Sequence, residues 1–507
     1  MKTSLKRLLS LMCVVTIGTT AMASCRKNPG SDTSSDSDSD YEIVYVYESE
    51  DGATATDSDS ATSDNSTTSK GSTTSKGSTT SNGSTTSKGS TGGSTTSSAP
   101  GTSSTIKQSG SYHKWDYSEL KGTKVTFAMW TDFIKPYADQ VIKQFEKETG
   151  MDFEYMDVPQ TDYIKTVTGK IAAGTGPDVI INNSEFPGIM TIAQPVNDYV
   201  DLSDPIWDAA FSKAFTVKGK TYTISADGSF FGGGGANYCL YYNKSLLNKA
   251  GVTNPGALYK AGNWNWDTYT ALMKAYTNSA TKVKGTNAMF LTGSYHQISV
   301  GAAIFKYDPN TLTFSSNLDD PLVSKVLTKM AEWGKNGYTG GSNLFSGKSA
   351  MQLTFTMTKK DVAANGSGIT VNDIGVVPAP DFDSEHKRVK LVSGKGWGIA
   401  KGAKNPVGAG IFIKYYSDPG NYDADEFFVT SEFRDLYFKM KSETSAPEYF
   451  ECMFGVASAN GINGGPEYWN LALGVAPDQI SKKINEITNQ TEARAAEATK
   501  VLRNAVK

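Results

Sequence analysis

Two kinds of side chain recur together along this chain. One set is aromatic: Trp130, Phe230, Phe231, Tyr241, Trp264, Trp266, Trp397 and Trp469. The other is polar: Asn182, Asn183, Glu185, Asp227, Asn237 and Asn263. Ring faces stack on flat C–H surfaces, and amides and carboxylates hydrogen-bond hydroxyl groups. A sugar offers both features, so carbohydrate recognition is the chemistry this combination suits. Few basic residues accompany the set, which disfavours phosphorylated ligands. An oligosaccharide is the first expectation, and a single sugar or polyol the second. Each tryptophan taken alone is equally well a packing residue. Trp333, at helical spacing from Val326 and Met330, reads as core.

Other chemistries find less support. The run Gly232-Gly233-Gly234-Gly235-Ala236-Asn237 has no following Gly-Lys-Ser/Thr, so it is not a phosphate-gripping loop. Ser346-Gly-Lys-Ser349 lacks the first glycine of such a loop: position 342 is Ser, and Gly341 is off by one. The histidines are His113, His296 and His386, none within HExxH, and there is no GxSxG elbow. Asp198, Asp201 and Asp204 lack the glycine and final glutamate of a calcium loop. Cys239 and Cys452 have no His or Cys at zinc-ligand spacing; a disulfide and two buried thiols both remain open. Neither a metal nor a cofactor is expected, and no catalytic residue is assigned. Paired carboxylates for glycoside hydrolysis are not excluded by composition.

The chain has 507 residues with a net charge of −3, a balance that favours neither nucleic acid nor an anionic membrane surface. Residues 1–24 read as an export signal. Lys2, Lys6 and Arg7 precede the mostly apolar Leu8–Ile17, which is too short for a membrane span. Met22-Ala23-Ser24-Cys25 resembles a bacterial lipobox, which would make Cys25 the lipid-modified first residue of the mature chain. Residues 25–112 form a Ser/Thr/Gly-rich tract. Within it STTSKG starts at Ser66 and recurs at Ser72, Ser78 (with Asn82 for Lys) and Ser84. Such a tract buries too little apolar surface to fold, and as a flexible tether would reach roughly 50 Å. Tyr41–Tyr47 is a strand-like island within it, with no functional account.

Folded sequence begins near Lys121. Lys124–Trp130, Met151–Val158 and Pro177–Asn182 read as strands, and Pro136–Thr149 and Tyr163–Ala173 as helices between them. This alternation predicts a parallel sheet covered by helices, with ligands at the carboxyl ends of its strands. Trp130, Asn182, Asn183 and Glu185 fall at that edge. The grammar restarts with a strand at Tyr238–Tyr242 and helices at Lys244–Ala250 and Tyr269–Tyr276. A second α/β lobe is expected, joined to the first by Asp227–Asn237.

Several segments in order resemble the extracellular solute-binding proteins of the maltose-binding type. They are Gly174-Thr-Gly-Pro-Asp-Val179, Pro195-Val-Asn-Asp-Tyr-Val-Asp-Leu202, Cys239-Leu-Tyr-Tyr-Asn-Lys-Ser-Leu-Leu-Asn-Lys-Ala-Gly251, Trp264-Asn-Trp-Asp-Thr-Tyr269, Phe345-Ser-Gly-Lys-Ser-Ala-Met351 and Gly394-Lys-Gly-Trp-Gly-Ile-Ala-Lys-Gly-Ala-Lys-Asn-Pro406. The resemblance implies an α/β, two-lobed, periplasmic-binding-protein-like fold over residues 113–507. Lobe 1 would take about 121–230 and 343–394, and lobe 2 about 236–342 and 395–507. Gly232, Gly233, Gly234 and Gly235 would serve as a hinge, with further crossings near Gly340–Phe345 and Val392–Trp397. The implied cleft residues are Trp130, Asn183, Glu185, Phe231, Tyr241, Trp264, Trp397 and Trp469. The implied role is a lipid-anchored, non-enzymatic receptor on the outer face of the cell membrane, passing a carbohydrate to ABC permease subunits; with no oligomerisation signal in the sequence, a monomer is the default expectation. The competing expectation is a surface carbohydrate-binding or glycoside-hydrolysing protein uncoupled from transport.

Overall fold

Alternating apolar residues and well-placed caps build the first elements. Lys124–Met129 forms β1, with Val125 and Phe127–Met129 buried. Lys135–Thr149 forms α1, which buries Ala138, Val141, Ile142 and Phe145 at helical spacing. Gly150 follows at φ 67°, a left-handed conformation that ends the helix and turns the chain into β2, Asp152–Asp157. Next come α2 (Tyr163–Ala172), β3 (Val179–Asn183), β4 (Ala193–Gln194), α3 (Ala209–Ala214) and β5 (Thr223–Ile224). This computed structural model describes residues 111–507 except 131–134, 160–161, 184, 228–237, 278–282, 289–290, 341–343, 355–358, 364–367, 393–394, 444, 451, 453–455, 457–470 and 473. Cys25, the Tyr41–Tyr47 island, Phe230, Phe231, Asn237 and Trp469 lie outside the described residues. So do all four glycines expected to form the hinge, Gly232, Gly233, Gly234 and Gly235.

The second half opens with β6 (Cys239–Asn243) and α4 (Lys244–Ala250), which Asn243 caps by accepting from the Leu246 N–H. Asn265 and Thr268 form a reciprocal capping box at the start of α5, Trp266–Tyr276. There follow β7 (Lys284–Asn287), α6 (Leu291–Ile298), the hairpin β8 (Phe305–Asp308) and β9 (Thr313–Ser316), α7 (Pro321–Lys335), β10 (Thr339–Gly340), β11 (Ser349–Thr354) and β12 (Ile374–Pro378). The chain then runs through β13 (Lys390–Val392), β14 (Lys395–Ala400), α8 (Pro406–Ser417), α9 (Ser431–Ser442), β15 (Glu448–Phe450) and α10 (Ile480–Ala505). The strands and helices predicted between Lys124 and Tyr276 are all present, most with ends shifted by a residue or two.

Two sheets organise these elements. The first has the order β2-β1-β3-β14-β4, with β5 also pairing β14; β1 runs parallel to β2 and β3, and β14 antiparallel to β3. The second has the order β10-β7-β11-β6-β12. The chain leaves the first sheet after β5 and returns between β12 and β14. This differs from the expected lobe boundaries. Ser349–Thr354 and Ile374–Pro378, placed in lobe 1 from sequence, belong to the second sheet. Lys395–Ala400, placed in lobe 2, lies inside the first. Gly340–Phe345 is therefore not a crossing, because β10 and β11 share a sheet. The fold also starts earlier than Lys121: Tyr112, Trp115, Tyr117 and Leu120 are all buried.

Position within a sheet explains the alternation Gly396-Trp397-Gly398. A Cβ on Gly396 would meet the Phe211 ring at 2.3 Å, and one on Gly398 would meet the Tyr222 carbonyl oxygen at 2.8 Å. One face of β14 thus has room only for glycine. Trp397 points to the other face and is fully buried, packed edge-on against Phe127 at 5.8 Å and Tyr416 at 5.0 Å. Trp397→Ala is expected to lower the unfolding free energy by about 3–5 kcal/mol, the range for emptying an aromatic site in a packed core. Chemical denaturation of wild type and variant would measure it.

Candidate functional site

The register of the first sheet brings one set of polar and aromatic side chains to a common edge. β1 pairs β3 with Phe127 opposite Val179 and Ala128 opposite Ile180, which sets Trp130 level with Asn182. β14 enters antiparallel with Lys395 opposite Asn183. Trp130 is buried at the end of β1, edge-on to the Tyr163 ring at 5.7 Å. Tyr163 is itself locked between strands: its hydroxyl donates to the Ala128 carbonyl at 2.8 Å and accepts from the Ile181 N–H at 2.9 Å.

Glu185 closes this edge. Its carboxylate accepts the Asn183 N–H, and its own N–H donates to Asn182 Oδ1 at 3.2 Å. Asn182 is fully buried and donates from Nδ2 to Thr223 Oγ1 at 3.5 Å. Glu185 and Lys395 are both half-buried and act on each other electrostatically. Burial pushes the Glu185 carboxyl up to about 7, against the pull of the Asn183 N–H and Lys395. Burial likewise brings the Lys395 ammonium down to about 8, against the opposing effect of Glu185. The two groups supply an acceptor and a donor at one sheet edge, the two functions that a hydroxyl-rich ligand can meet together. Just beyond it, Phe186 packs on Phe215, Tyr307 and Phe450 at 5.2–5.5 Å, so the edge rests against β8 and β15.

The structure thus brings Trp130, Asn183 and Glu185 together and sends other expected site residues elsewhere. Tyr241 is fully buried in β6 with its ring edge-on to Phe433. Trp264 is buried edge-on to Tyr269, and its indole N–H donates to the Pro378 carbonyl at 2.8 Å. Trp397 fills the first core as described. Trp266, a further aromatic candidate, packs on Trp333 at 4.6 Å in the second core. All four are corrections to the sequence reading: their rings serve interior packing, not a cleft. Asn263 lies on an exposed loop, and Asp227 pairs with Lys441 at 2.6 Å. Lys395 was missed; the available signal was a lone lysine at the first position of a glycine-rich strand. Cys239 and Cys452 are buried thiols not joined in a disulfide, the Cys452 thiol lying 3.8 Å from the Phe305 carbonyl. Among the described residues, no cluster of His, Cys, Asp or Glu fits a metal, and no helix is long and apolar enough to cross a membrane.

Two α/β sheets joined by crossing segments, with a polar and aromatic edge on the first, define a two-lobed ligand-binding protein. Residues 140–424 match the model of the bacterial extracellular solute-binding proteins, over half the chain, and the protein belongs to that family. A binding protein of Brucella abortus strain 2308 is 30% identical over 149 residues, covering 28% of this chain. The chain spans about a third of the length of the curated relatives it matches. Its fold is shared with an ABC substrate-binding protein of Listeria monocytogenes bound to cycloalternan (TM-score 0.54, 18% identity, 74% of this chain and 100% of that one). It is likewise shared with the sugar-binding protein MalE of Xanthomonas citri (TM-score 0.55, 15% identity, 75% and 99%).

The raised carboxyl of Glu185 has a consequence for stability. A carboxyl held near 7 in the fold and near 4.5 when unfolded contributes stability below about pH 4.5, and that contribution is lost as pH rises through 7. Glu185→Gln removes this dependence. The melting temperature of the variant relative to wild type is therefore expected to climb between pH 4.5 and 7, and a thermal-melt series across that range would record it.

Proposed function

We propose that this protein is the substrate-binding component of an ABC importer and holds a sugar or oligosaccharide between its lobes. The observation that carries this reading is the edge of Trp130, Asn183, Glu185 and Lys395 on a chain of the solute-binding family. Trp130 supplies the stacking face, Asn183 positions Glu185, and the Glu185–Lys395 pair meets ligand hydroxyls. Phe231 and Trp469 complete the cleft, and Gly232, Gly233, Gly234 and Gly235 absorb the dihedral change as the lobes rotate. Ligand contacts to both lobes favour the closed form.

Support for carbohydrate comes from the shared fold: the Listeria protein is bound to cycloalternan, and a Bifidobacterium longum relative in fold (TM-score 0.54, 15% identity) is bound to lacto-N-biose. In this reading Cys25 carries the lipid that holds the protein at the outer face of the cell membrane. The polar tract lets the binding domain reach permease subunits, and the receptor works as a monomer without altering its ligand.

A thermal-shift screen of the protein against mono- and oligosaccharides tests the proposal, because a ligand of the native state alone raises the melting temperature. One sugar family is expected to give a clear shift. Trp130→Ala is expected to weaken that sugar by about tenfold, from lost stacking and apolar contact, and to lower the melting temperature of the unliganded chain, since the ring is also buried against Tyr163. Equal affinity in the variant would remove Trp130 from the site. Cleaved product after long incubation with an oligosaccharide would replace the receptor with a hydrolase.

A further inference from the structure

A cavity of about 450 Å³ lies where the chain passes between lobes, and no residue of the Trp130–Lys395 edge lines it. Its walls come from the start of α3, from Asp227 just before the first crossing, from β13 on the second crossing, and from α9. Its volume is within the range of small-molecule sites.

Charge inside it is unevenly satisfied. Asp227 and Lys441 neutralise each other at 2.6 Å. Asp208 is 7% exposed; one carboxylate oxygen caps α3 by accepting the Phe211 N–H at 2.9 Å, and its other oxygen has no hydrogen-bond partner among the described residues. Lys441 and, less strongly, Lys390 draw the Asp208 carboxylate electrostatically while Asp227 opposes them, and the Lys390 ammonium makes no direct ion pair among the described residues. Asp208 and Lys390 thus line the cavity as one carboxylate and one ammonium without a direct ionic contact. The rest of the wall is apolar. Phe438 on α9 is 42% exposed, the exposed large hydrophobic side chain among the described residues, and Trp207 has already given its indole N–H to the Asp201 carbonyl at 3.0 Å.

A purely cationic or purely anionic ligand would engage only one of these two groups, whereas a zwitterion would make a charge-assisted hydrogen bond with each. We propose that the cavity is a second binding site, distinct from the sugar site, for a small zwitterion with apolar side chains, of amino-acid to dipeptide size. The ligand ammonium meets Asp208, its carboxylate meets Lys390, and its apolar side chain covers Phe438.

The test is calorimetric titration of the full chain with L-leucyl-L-leucine, beside the N-acetylated dipeptide, which lacks the cation, and the C-terminal amide, which lacks the anion. The zwitterion is expected to bind, and each control to bind about tenfold more weakly or worse. Asp208→Asn keeps an oxygen for the Phe211 cap, and Lys390→Met keeps the apolar stem. Either is expected to weaken the zwitterion by about tenfold while leaving the melting temperature and the sugar response of the unliganded chain in place. Binding is also expected to survive Trp130→Ala. The proposal is overturned if the folded chain takes up no zwitterion, if both controls bind as well, if both cavity variants bind normally, or if Trp130→Ala abolishes binding and so places the ligand in the sugar cleft.

Discussion

The pairing of β14 with β3 is the contact on which the rest depends. A strand from the far end of the chain inserts antiparallel beside the last parallel strand of the first sheet, with Trp397 opposite Ile181 and Lys395 opposite Asn183. The first buries the ring that fills the core against Phe127 and Tyr416. The second sets an ammonium beside the Asn183–Glu185 turn. Core and site are thus two faces of one register. A slip by a single residue would turn Trp397 toward Phe211 and the β5 backbone, where only glycine fits, and would move Lys395 off the edge. The same insertion means that neither lobe is a contiguous stretch of chain. The first sheet stays incomplete until the second lobe has been traversed.

Local chemistry was readable and long-range chemistry was not. The helix end at Thr149, the helix Lys244–Ala250 and the strand ends near Trp130 and Asn182 depend on a few neighbouring residues, and they stand within a residue of where the sequence put them. The membership of Lys395–Ala400 in the first sheet depends on Ile180 and Ile181, more than two hundred residues earlier, and nothing local reports it. The tryptophans failed for a related reason. An indole at a strand or a helix start looks the same whether its neighbours are solvent or a packed interior. Trp264 is fixed by a carbonyl at Pro378 and Trp397 by rings from β1 and α8, partners supplied only by the fold. Of the expected cleft residues, those at the carboxyl edge of the first sheet were the ones that topology itself predicted.

Burial gives the edge its electrical character. Taken separately, Glu185 and Lys395 would each lose charge as water is excluded; beside one another each holds the other toward its ionised form. The edge is therefore close to neutral as a whole while remaining strongly polar at the scale of a single hydroxyl. That suits an uncharged, hydroxylated ligand better than an ionic one. Phe186, the residue after Glu185, carries this edge into an aromatic cluster with Phe215, Tyr307 and Phe450.

The segment at the entrance to the fold has a mechanical meaning. Tyr112 donates its hydroxyl to Asp418 at 2.7 Å, His113 meets Glu148 at 2.8 Å, and the Tyr112 and Trp115 rings lie under the Lys414 ammonium, which also pairs with Asp204. All of these partners sit on α1, on α8 or beside the first sheet. Tension applied to the chain ahead of Ser111 is therefore borne first by the first lobe, through a knot of rings and buried charge. A pull from that end loads the ring cluster on α1 and α8 before it loads the second sheet.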